Sequence, residues 1–329
     1  MKLRRVAAIG TGLATAAGLA YVLERAGARH YRATEEALAK AGRTLPADLR
    51  HHFVAMSDGG RVHAVERGEG PTTVLVHGIT LGVGTWAPQL RGLPGRVIAV
   101  SQRGHGQSRA GGEGYGFDRL GTDLLEVLAV LEVRDAVVVG HSMGGMVVQQ
   151  LAVERPEDLA RHARRLVLVA TGPGPVAPAR LGGLATAGAI RALAAAERRG
   201  QAPLPQSVSV WAARSAFGAA PSPADVTLLR GMLDAMSPSA LSGLLPHLLA
   251  FDVRDRLASI GFPVHVVVGT RDLLTPPRTA RAITARVPGA SLTVLRGCGH
   301  MVMLERPDEL AAVVEGRGLG ATRPVPGAA

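Results

Sequence analysis

The amino-acid sequence predicts an α/β fold in which a mostly parallel sheet carries helices on both faces. The first observation is a set of short, unbroken apolar runs, such as residues 136–139, which are typical of strands covered on both faces. The second is that these runs alternate with segments of helical periodicity, such as residues 117–131. With 329 residues, the chain can form one large domain with an insertion, or two domains.

The composition favours a globular protein and argues against nucleic-acid binding. Apolar residues make up 47% of the chain and charged residues 19%. The net charge of +11 rests on arginine, since Lys2 and Lys40 are the only lysines. An anionic membrane surface or a nucleic acid would suit this charge. The arginines are scattered, however, and no zinc-finger or RNA-binding motif is present. Cys298 is the only cysteine, which excludes an intrachain disulfide, and we interpret it as a small buried thiol.

The chain begins with a cationic cluster followed by an uncharged stretch at residues 6–23. As a helix this stretch would extend for roughly 27 Å, just enough to cross the hydrocarbon layer of a bilayer. We favour a single-pass membrane anchor. A cleaved export signal with its site at residues 26–28, and an ordinary helix packed on the domain, remain open. Basic residues flank the stretch on both sides, so they do not set its orientation.

The first strands of the predicted core lead to a glycine-containing turn. Residues 52–56 and 61–66 alternate as paired strands around a hairpin turn, and Thr72–Val76 is the next strand. Gly78 follows it closely, so the backbone can turn sharply and expose amide hydrogens at the carboxyl end of the strand, where open α/β sheets bind ligands. The preceding His77 is interpreted as structural.

A Gly-x-Ser-x-Gly pentapeptide at residues 140–144 follows the apolar run and precedes a helix-like segment at residues 146–154. On its own, such a pentapeptide could be a plain turn. Between a strand and a helix, its glycines remove Cβ atoms that would clash, and Ser142 is held on a strained turn near the positive end of the helix.

Two later strands end in the partners that a serine nucleophile needs. Residues 263–268 are predicted as a strand, and Asp272 lies just beyond its carboxyl end. Ser291–Leu295 is predicted as the last strand, and His300 follows it after a flexible turn that contains Gly297 and Gly299. A carboxylate that orients an imidazole, which in turn activates a hydroxyl, is the arrangement of serine hydrolases.

The pentapeptide and the chain order Ser142, Asp272, His300 resemble the α/β-hydrolase fold family over the chain that follows the N-terminal segment. The resemblance implies that these three residues form a catalytic triad. It also implies an oxyanion hole made by the backbone N–H groups of Ile79 and Met143.

Other charged or polar residues in these regions have simpler interpretations. Asp252 and Asp255 are alternative acids, and otherwise an exposed helix start. Residues 101–108 look like the D-x-R-G-x-G-x-S block of the family, with Ser101 in place of the aspartate. That carboxylate is not the triad acid, so the change concerns local loop hydrogen bonding. His105 is interpreted as a loop residue.

Residues 171–250 interrupt the alternation of strands and helices with many prolines and short helical stretches. The resemblance implies a helical cap that supplies an apolar, water-poor chamber. Six apolar side chains could line an acyl pocket or form the core of the cap itself: Trp211, Phe217, Leu229, Met232, Leu233 and Met236. The predicted organisation is an anchor or signal-like helix and stalk (1–50), core (51–170), helical cap (171–250), core (251–316) and disordered tail (317–329).

The resemblance implies a serine hydrolase that cleaves carboxylic esters through an acyl-enzyme, and the predicted anchor suggests lipid-like esters. The serine at position 142 argues against the dehalogenases and epoxide hydrolases of this fold, which use aspartate there. C–C bond hydrolysis, perhydrolysis, thioester hydrolysis and acyl transfer remain open, as does a non-catalytic ligand-binding receptor. No cofactor, metal or nucleic-acid partner is expected, and no oligomeric state is predicted.

Overall fold

The computed structural model describes residues 30–175 and 206–317 of the chain. The uncharged stretch at residues 6–23, part of the predicted cap and residues 318–329 of the predicted tail lie outside these ranges. The strands are β1 (Arg50–Ala55), β2 (Arg61–Arg67), β3 (Thr72–Val76), β4 (Arg96–Ser101), β5 (Ala136–His141), β6 (Ala163–Val169), β7 (Val264–Gly269) and β8 (Ser291–Leu295).

The helices surround these strands in chain order. They are α1 (Glu35–Lys40), α2 (Ala87–Gly92), α3 (Phe117–Val130), α4 (Met143–Glu154), α5 (Pro156–Ala160), α6 (Gln206–Ser215), α7 (Pro223–Ala235), α8 (Pro238–Ala250), α9 (Pro277–Thr284), α10 (Val302–Glu305) and α11 (Pro307–Glu315). Two short 3-10 helices lie at Val83–Trp86 and Arg254–Ser259.

Within the described residues, the eight strands form one sheet in the order β1-β2-β4-β3-β5-β6-β7-β8. The pairs β1 with β2 and β2 with β4 are antiparallel, and all the later pairs are parallel. The predicted fold class, a mostly parallel sheet between helices, is confirmed. Since the strands from β3 onward point the same way, the loops after β3, β5, β7 and β8 meet at one edge of the sheet.

The core consists of two apolar layers separated by the sheet. Along β5, Ala136 and Val138 belong to one layer, and Val137 and Val139 to the other, because successive side chains of a strand point to opposite faces. Side chains of α3, α4 and α9 fill the first layer, and those of α2 and α11 fill the second. Burial on both faces explains why this strand is apolar along its length.

Strand β5 and helix α4 both extend further than the sequence predicts. The strand continues through Gly140, which pairs with β3 and β6, and His141, which pairs with β6, and the helix begins at Met143. Neither residue favours a strand by propensity, so the sheet ladder on both sides overrides the local preference. The connection between the two elements is thereby reduced to Ser142.

Helices α6, α7 and α8 lie between β6 and β7, in the segment for which the sequence predicts a helical cap. The side chains of Phe217, Leu229 and Met236 are buried in the two apolar layers, whereas Trp211 is 49% exposed. Phe217, Leu229 and Met236 therefore belong to the apolar layers of the domain.

The chain before β1 packs against α7. The hydroxyl of Thr227 in α7 donates to the carbonyl oxygen of Tyr31 at 2.6 Å, and the guanidinium of Arg43 contacts the carboxylate of Asp225 at 2.5 Å. Among residues 30–175 and 206–317, no helix combines the length and the apolar character that crossing a membrane requires.

Candidate active site

Ser142 occupies a strained position between β5 and α4. Its φ of 51° and ψ of −118° are unfavourable for a residue with a Cβ atom. Two hydrogen bonds hold it there: its N–H donates to the carbonyl oxygen of Val169 at 2.9 Å, and its carbonyl accepts from the hydroxyl of Thr171 at 2.8 Å. The serine is thus fixed at the carboxyl edge of the sheet by its neighbours on the next strand.

The glycines of the pentapeptide are required by close backbone contacts. A Cβ atom on Gly144 would lie 2.3 Å from the carbonyl oxygen of Val76 at the end of β3. A Cβ atom on Gly140 would lie 2.7 Å from the Cα atom of Gly145. The first turn of α4 can approach β3 and β5 this closely only because these side chains are absent.

The loop after β3 runs directly past the serine. A Cβ atom on Gly78 would lie 3.0 Å from the Cβ atom of Ser142. Ile79, the next residue, is half-buried, and Met143 directly follows the serine and is buried. The two backbone N–H groups predicted as oxyanion donors therefore belong to residues on two sides of Ser142.

Two buried histidines form hydrogen bonds to the backbone of this loop. The ring of His77 accepts a hydrogen bond from the N–H of Gln102 at 3.0 Å through Nε2, and Nδ1–H donates to the carbonyl of Gly78 at 2.7 Å. The ring of His105 accepts from the N–H of Thr80 at 3.1 Å, and its Nδ1–H donates to a carbonyl oxygen. Each ring therefore donates one hydrogen bond and accepts another, which is the pattern of a neutral imidazole.

The pKa values of these two histidines agree with their hydrogen bonds. Burial lowers the pKa of His77 to about 3, with a contribution from the nearby His105, and burial lowers the pKa of His105 to about 4. The structure agrees with the interpretation of both as structural residues of loops.

Asp272 and His300 form a buried hydrogen-bonded pair. The Nδ1–H of His300 donates to Oδ2 of Asp272 at 2.9 Å. The same Oδ2 accepts from the hydroxyl of Thr275 at 2.7 Å, while Oδ1 accepts from the N–H groups of Leu274 and Thr275 at 2.9 and 2.8 Å. The carboxylate is therefore held on all sides by donors.

These donors set the charge state of the carboxylate. Burial by itself raises the pKa of Asp272, but the charge and hydrogen bond of His300 and the bonds from Thr275 outweigh it and hold the pKa below its usual value. The alternative acids lie elsewhere: Asp252 is exposed and bonded to Arg254, and Asp255 is exposed. Among the three acids considered, Asp272 is the one bonded to His300.

His300 is also tied to the strand that leads to the serine. The Nε2–H of His141 donates to the carbonyl oxygen of His300 at 3.0 Å, and the two rings lie 4.8 Å apart. Burial and the proximity of His300 lower the pKa of His141 well below its usual value, so this ring is neutral. Since Ser142 directly follows His141, the loops that carry the serine and His300 are adjacent.

A half-buried carboxylate connects the histidine loop to the segment after α6. Glu305 accepts from the N–H of Gly299 and the N–H of Gly218, each at 2.9 Å. Burial raises the pKa of Glu305 even though both N–H groups favour its ionised form. Cys298 in the same loop is buried, which raises the pKa of its thiol and keeps it neutral.

Three residues of this region were not identified by the sequence analysis as part of the site. His141 lies within the pentapeptide at a position that the pattern leaves unspecified. Thr275 and Glu305 follow Asp272 and His300 by three and five residues, without a motif that marks them. Among the described residues, no cluster of three or more histidine, cysteine or acidic side chains could hold a metal ion.

Comparison with known proteins agrees with this architecture. The model described as the alpha/beta hydrolase family matches residues 73–313. A pimeloyl-[acyl-carrier protein] methyl ester esterase of Aeromonas hydrophila is 30% identical over 259 residues, covering 77% of this chain and 97% of that protein. The esterase of the same name from Aromatoleum aromaticum is 31% identical, covering 74% and 97%.

A solved structure gives the same result. A hydrolase from Pseudomonas aeruginosa PA01 matches with a TM-score of 0.69 and 30% sequence identity, covering 82% of this chain and 98% of that one. This structural likeness agrees with the family match over residues 73–313. The chain belongs to the alpha/beta hydrolase family.

Proposed function

We propose that this protein is a serine hydrolase that cleaves carboxylic esters through a triad of Ser142, His300 and Asp272. The observation that carries the proposal is the buried hydrogen bond between His300 and Asp272, on loops adjacent to the strained serine. A hydroxyl on such a turn, beside an imidazole fixed by a carboxylate, has the parts that acyl transfer needs.

The reaction proceeds in two halves. The Oγ atom of Ser142 bonds to the carbonyl carbon of the ester as its proton moves to Nε2 of His300. The imidazolium then gives this proton to the leaving alcohol, and the bond between carbon and alkoxy oxygen breaks. Water, deprotonated by His300, attacks the acyl-enzyme and releases the acid, which restores the hydroxyl of Ser142.

Asp272 and two backbone amides complete the mechanism. With Nδ1–H donated to Asp272, the ring of His300 is held in the tautomer whose Nε2 atom can accept a proton. The N–H groups of Ile79 and Met143 stabilise the oxyanion, and each such donor contributes roughly 3 to 4 kcal/mol in related mechanisms. The contact between Gly78 and Ser142 supports this assignment, because it brings the loop of Ile79 to the serine.

The choice of carboxylic esters is supported by the relatives. Two of them, with 30% and 31% identity over most of their length, are named as methyl ester esterases. These names describe the substrates of the relatives. For the present chain we propose carboxylic esters as a class, without naming the acid.

Covalent labelling tests the proposed nucleophile. We expect a fluorophosphonate probe to label the full-length protein, and Ser142→Ala to abolish labelling and to lower kcat for p-nitrophenyl esters at least about 10⁴-fold. The control is Ser259→Ala, since Ser259 is exposed and its hydroxyl donates to the carbonyl of Arg256. A wild-type protein that resists the probe under conditions where control esterases react would contradict the proposal and favour a receptor.

We also propose that residues 1–23 attach the protein to a membrane, and that the substrate is a lipid-like ester. The uncharged stretch at residues 6–23 supports this part of the proposal. The protein should sediment with membranes, and deletion of residues 1–28, which spares Tyr31 and Arg43 with their contacts to α7, should release it. A mature protein that begins at Arg29 would instead indicate export and cleavage.

A further inference from the structure

We infer that Thr275 is a positioning residue of the catalytic pair, whose hydroxyl holds Asp272 against His300 and sets the pH at which His300 acts as a base. The inference rests on the proposed function, since it concerns the same histidine. Its basis is a set of contacts around a single carboxylate oxygen.

The hydroxyl of Thr275 lies between the two members of the pair. It is 2.7 Å from Oδ2 of Asp272 and 3.3 Å from Nδ1 of His300. A hydroxyl can donate one hydrogen bond and accept others. It therefore donates to the carboxylate, while the Nδ1–H of His300 faces two acceptor oxygens, Oδ2 at 2.9 Å and Oγ1 at 3.3 Å.

Burial gives this hydroxyl a larger effect than it would have at the surface. The residues Asp272, Thr275 and His300 are 2%, 3% and 6% exposed. In such surroundings, water cannot replace a donor that is removed. The loss of one hydrogen bond to a charged group therefore carries its full free-energy cost. Two backbone N–H groups hold Oδ1, whereas the hydrogen-bond partners of Oδ2 within the described residues are the Thr275 hydroxyl and His300.

The direction of the effect follows from electrostatics. Without the hydroxyl, Oδ2 loses a donor that stabilises its negative charge, so it interacts more strongly with an imidazolium beside it. The protonated form of His300 is then favoured, and a higher pH is needed to generate the base. Loss of the hydroxyl should therefore shift the acid limb of the kcat/KM profile to higher pH.

The other titratable groups that face His300 are the same in every variant compared. The ring of His141 packs against that of His300 in a tilted arrangement and is neutral, Glu305 bonds to the N–H of the preceding residue, and Cys298 is a buried thiol. None of these is changed by a substitution at residue 275. A difference between variants in the acid limb therefore reports on the pair of Asp272 and His300.

The test compares Thr275→Val and Thr275→Ala, which lack the hydroxyl, with Thr275→Ser, which keeps it. For p-nitrophenyl butyrate we expect the two hydroxyl-free variants to lose about 10-fold in kcat, with KM little changed. Their acid limb should move up by at least about 0.3 pH unit, and Thr275→Ser should behave as the wild type. The matched control is Thr279→Val, because the Thr279 hydroxyl bonds to the carbonyls of Thr171 and Pro276 and not to the pair.

A second measurement separates this inference from the proposed function. NMR titration of the His300 ring nitrogens in the full chain reports the same shift without any turnover. If the wild-type protein resists the fluorophosphonate but the titration shifts in Thr275→Val, the proposed function fails and the positioning role stands. If the probe reacts and neither the titration nor the acid limb moves, or if Thr275→Ser is impaired as much as Thr275→Val, the inference is wrong.

Discussion

Acid should destabilise this domain through the two neutral histidines under the loop of Ile79. The chosen perturbation is His105→Gln. Glutamine offers an acceptor for the N–H of Thr80 and a donor for the carbonyl of Arg103, which are the two bonds of the His105 ring, and it does not titrate.

The magnitude follows from the linkage of protonation to unfolding. A histidine in the unfolded chain has a pKa near 6.5, whereas burial lowers that of His105 to about 4 in the folded protein. The unfolded chain therefore binds the extra proton below pH 6.5, and the stability present above that pH is lost as the pH falls towards 4. Between pH 7.5 and pH 5 the loss is about 2 kcal/mol for His105.

His77 contributes a similar amount over the same range, since burial lowers its pKa to about 3. The wild-type protein should therefore lose about 4 kcal/mol from this pair on going from pH 7.5 to pH 5, and His105→Gln about 2 kcal/mol. For a domain whose total stability is about 5 to 15 kcal/mol, the difference is large.

Urea unfolding of the full chain at the two pH values measures these losses. The exposed His247 provides the control, and His247→Gln should lose as much stability as the wild type. If His105→Gln and the wild type lose equal amounts between pH 7.5 and pH 5, then His105 is not held neutral by its burial and its two bonds, and the reasoning is refuted.

Two further substitutions test buried contacts of the domain. Gly144→Ala would put a Cβ atom within 2.6 Å of two backbone carbonyl oxygens at the end of β3, so we expect a loss of at least about 2 kcal/mol in urea unfolding, with loss of esterase activity. Asp123→Ala would leave the buried guanidinium groups of Arg103 and Arg119 without the carboxylate that both contact, and we expect it to cost about 3 to 5 kcal/mol, seen as a lower urea midpoint.

Each of these has a counterpart at a site without such contacts. In Gly231→Ala, on α7, the new Cβ atom would meet no atom within 4 Å, and the protein should be as stable as the wild type or more so. Asp135→Ala removes the ion pair between Arg164 and Asp135, and the side chain of Asp135 is 80% exposed. This substitution should change the free energy of unfolding by less than about 1 kcal/mol. If Gly231→Ala destabilises the protein as much as Gly144→Ala, or Asp135→Ala as much as Asp123→Ala, the buried contacts are not the cause of the loss of stability.

Much of the fold could be predicted from the sequence because its strands are buried on both faces. Thr72–Val76 and Ser291–Leu295 have the predicted bounds, and the strands predicted at residues 52–56, 61–66, 136–139 and 263–268 differ from the observed ones by at most two residues at either end. A strand covered on both faces must be apolar throughout, so its pattern can be recognised locally. The ends are less predictable: β5 includes Gly140 and His141 because neighbouring strands pair with them, which the local sequence does not reveal.

For the site, the sequence supplied Ser142, Asp272 and His300 as candidates, each placed after a predicted strand. It could not supply their surroundings. The hydroxyl of Thr275 on Oδ2 of Asp272, the tilted ring contact of His141 with His300, and the bonds of Glu305 to Gly218 and Gly299 depend on side-chain directions at loops brought together by folding.

The sequence by itself therefore determined the order of strands and helices, the serine turn, and which residues could do acyl chemistry, because these depend on periodicity, on glycine spacing and on side-chain type. Only the tertiary structure decided which acid bonds to His300, which histidines are buried and neutral, and that the chain before β1 packs on α7. Hydrogen bonds of 2.5 to 3.3 Å join residues far apart in the chain, and no local pattern encodes where a distant segment will lie.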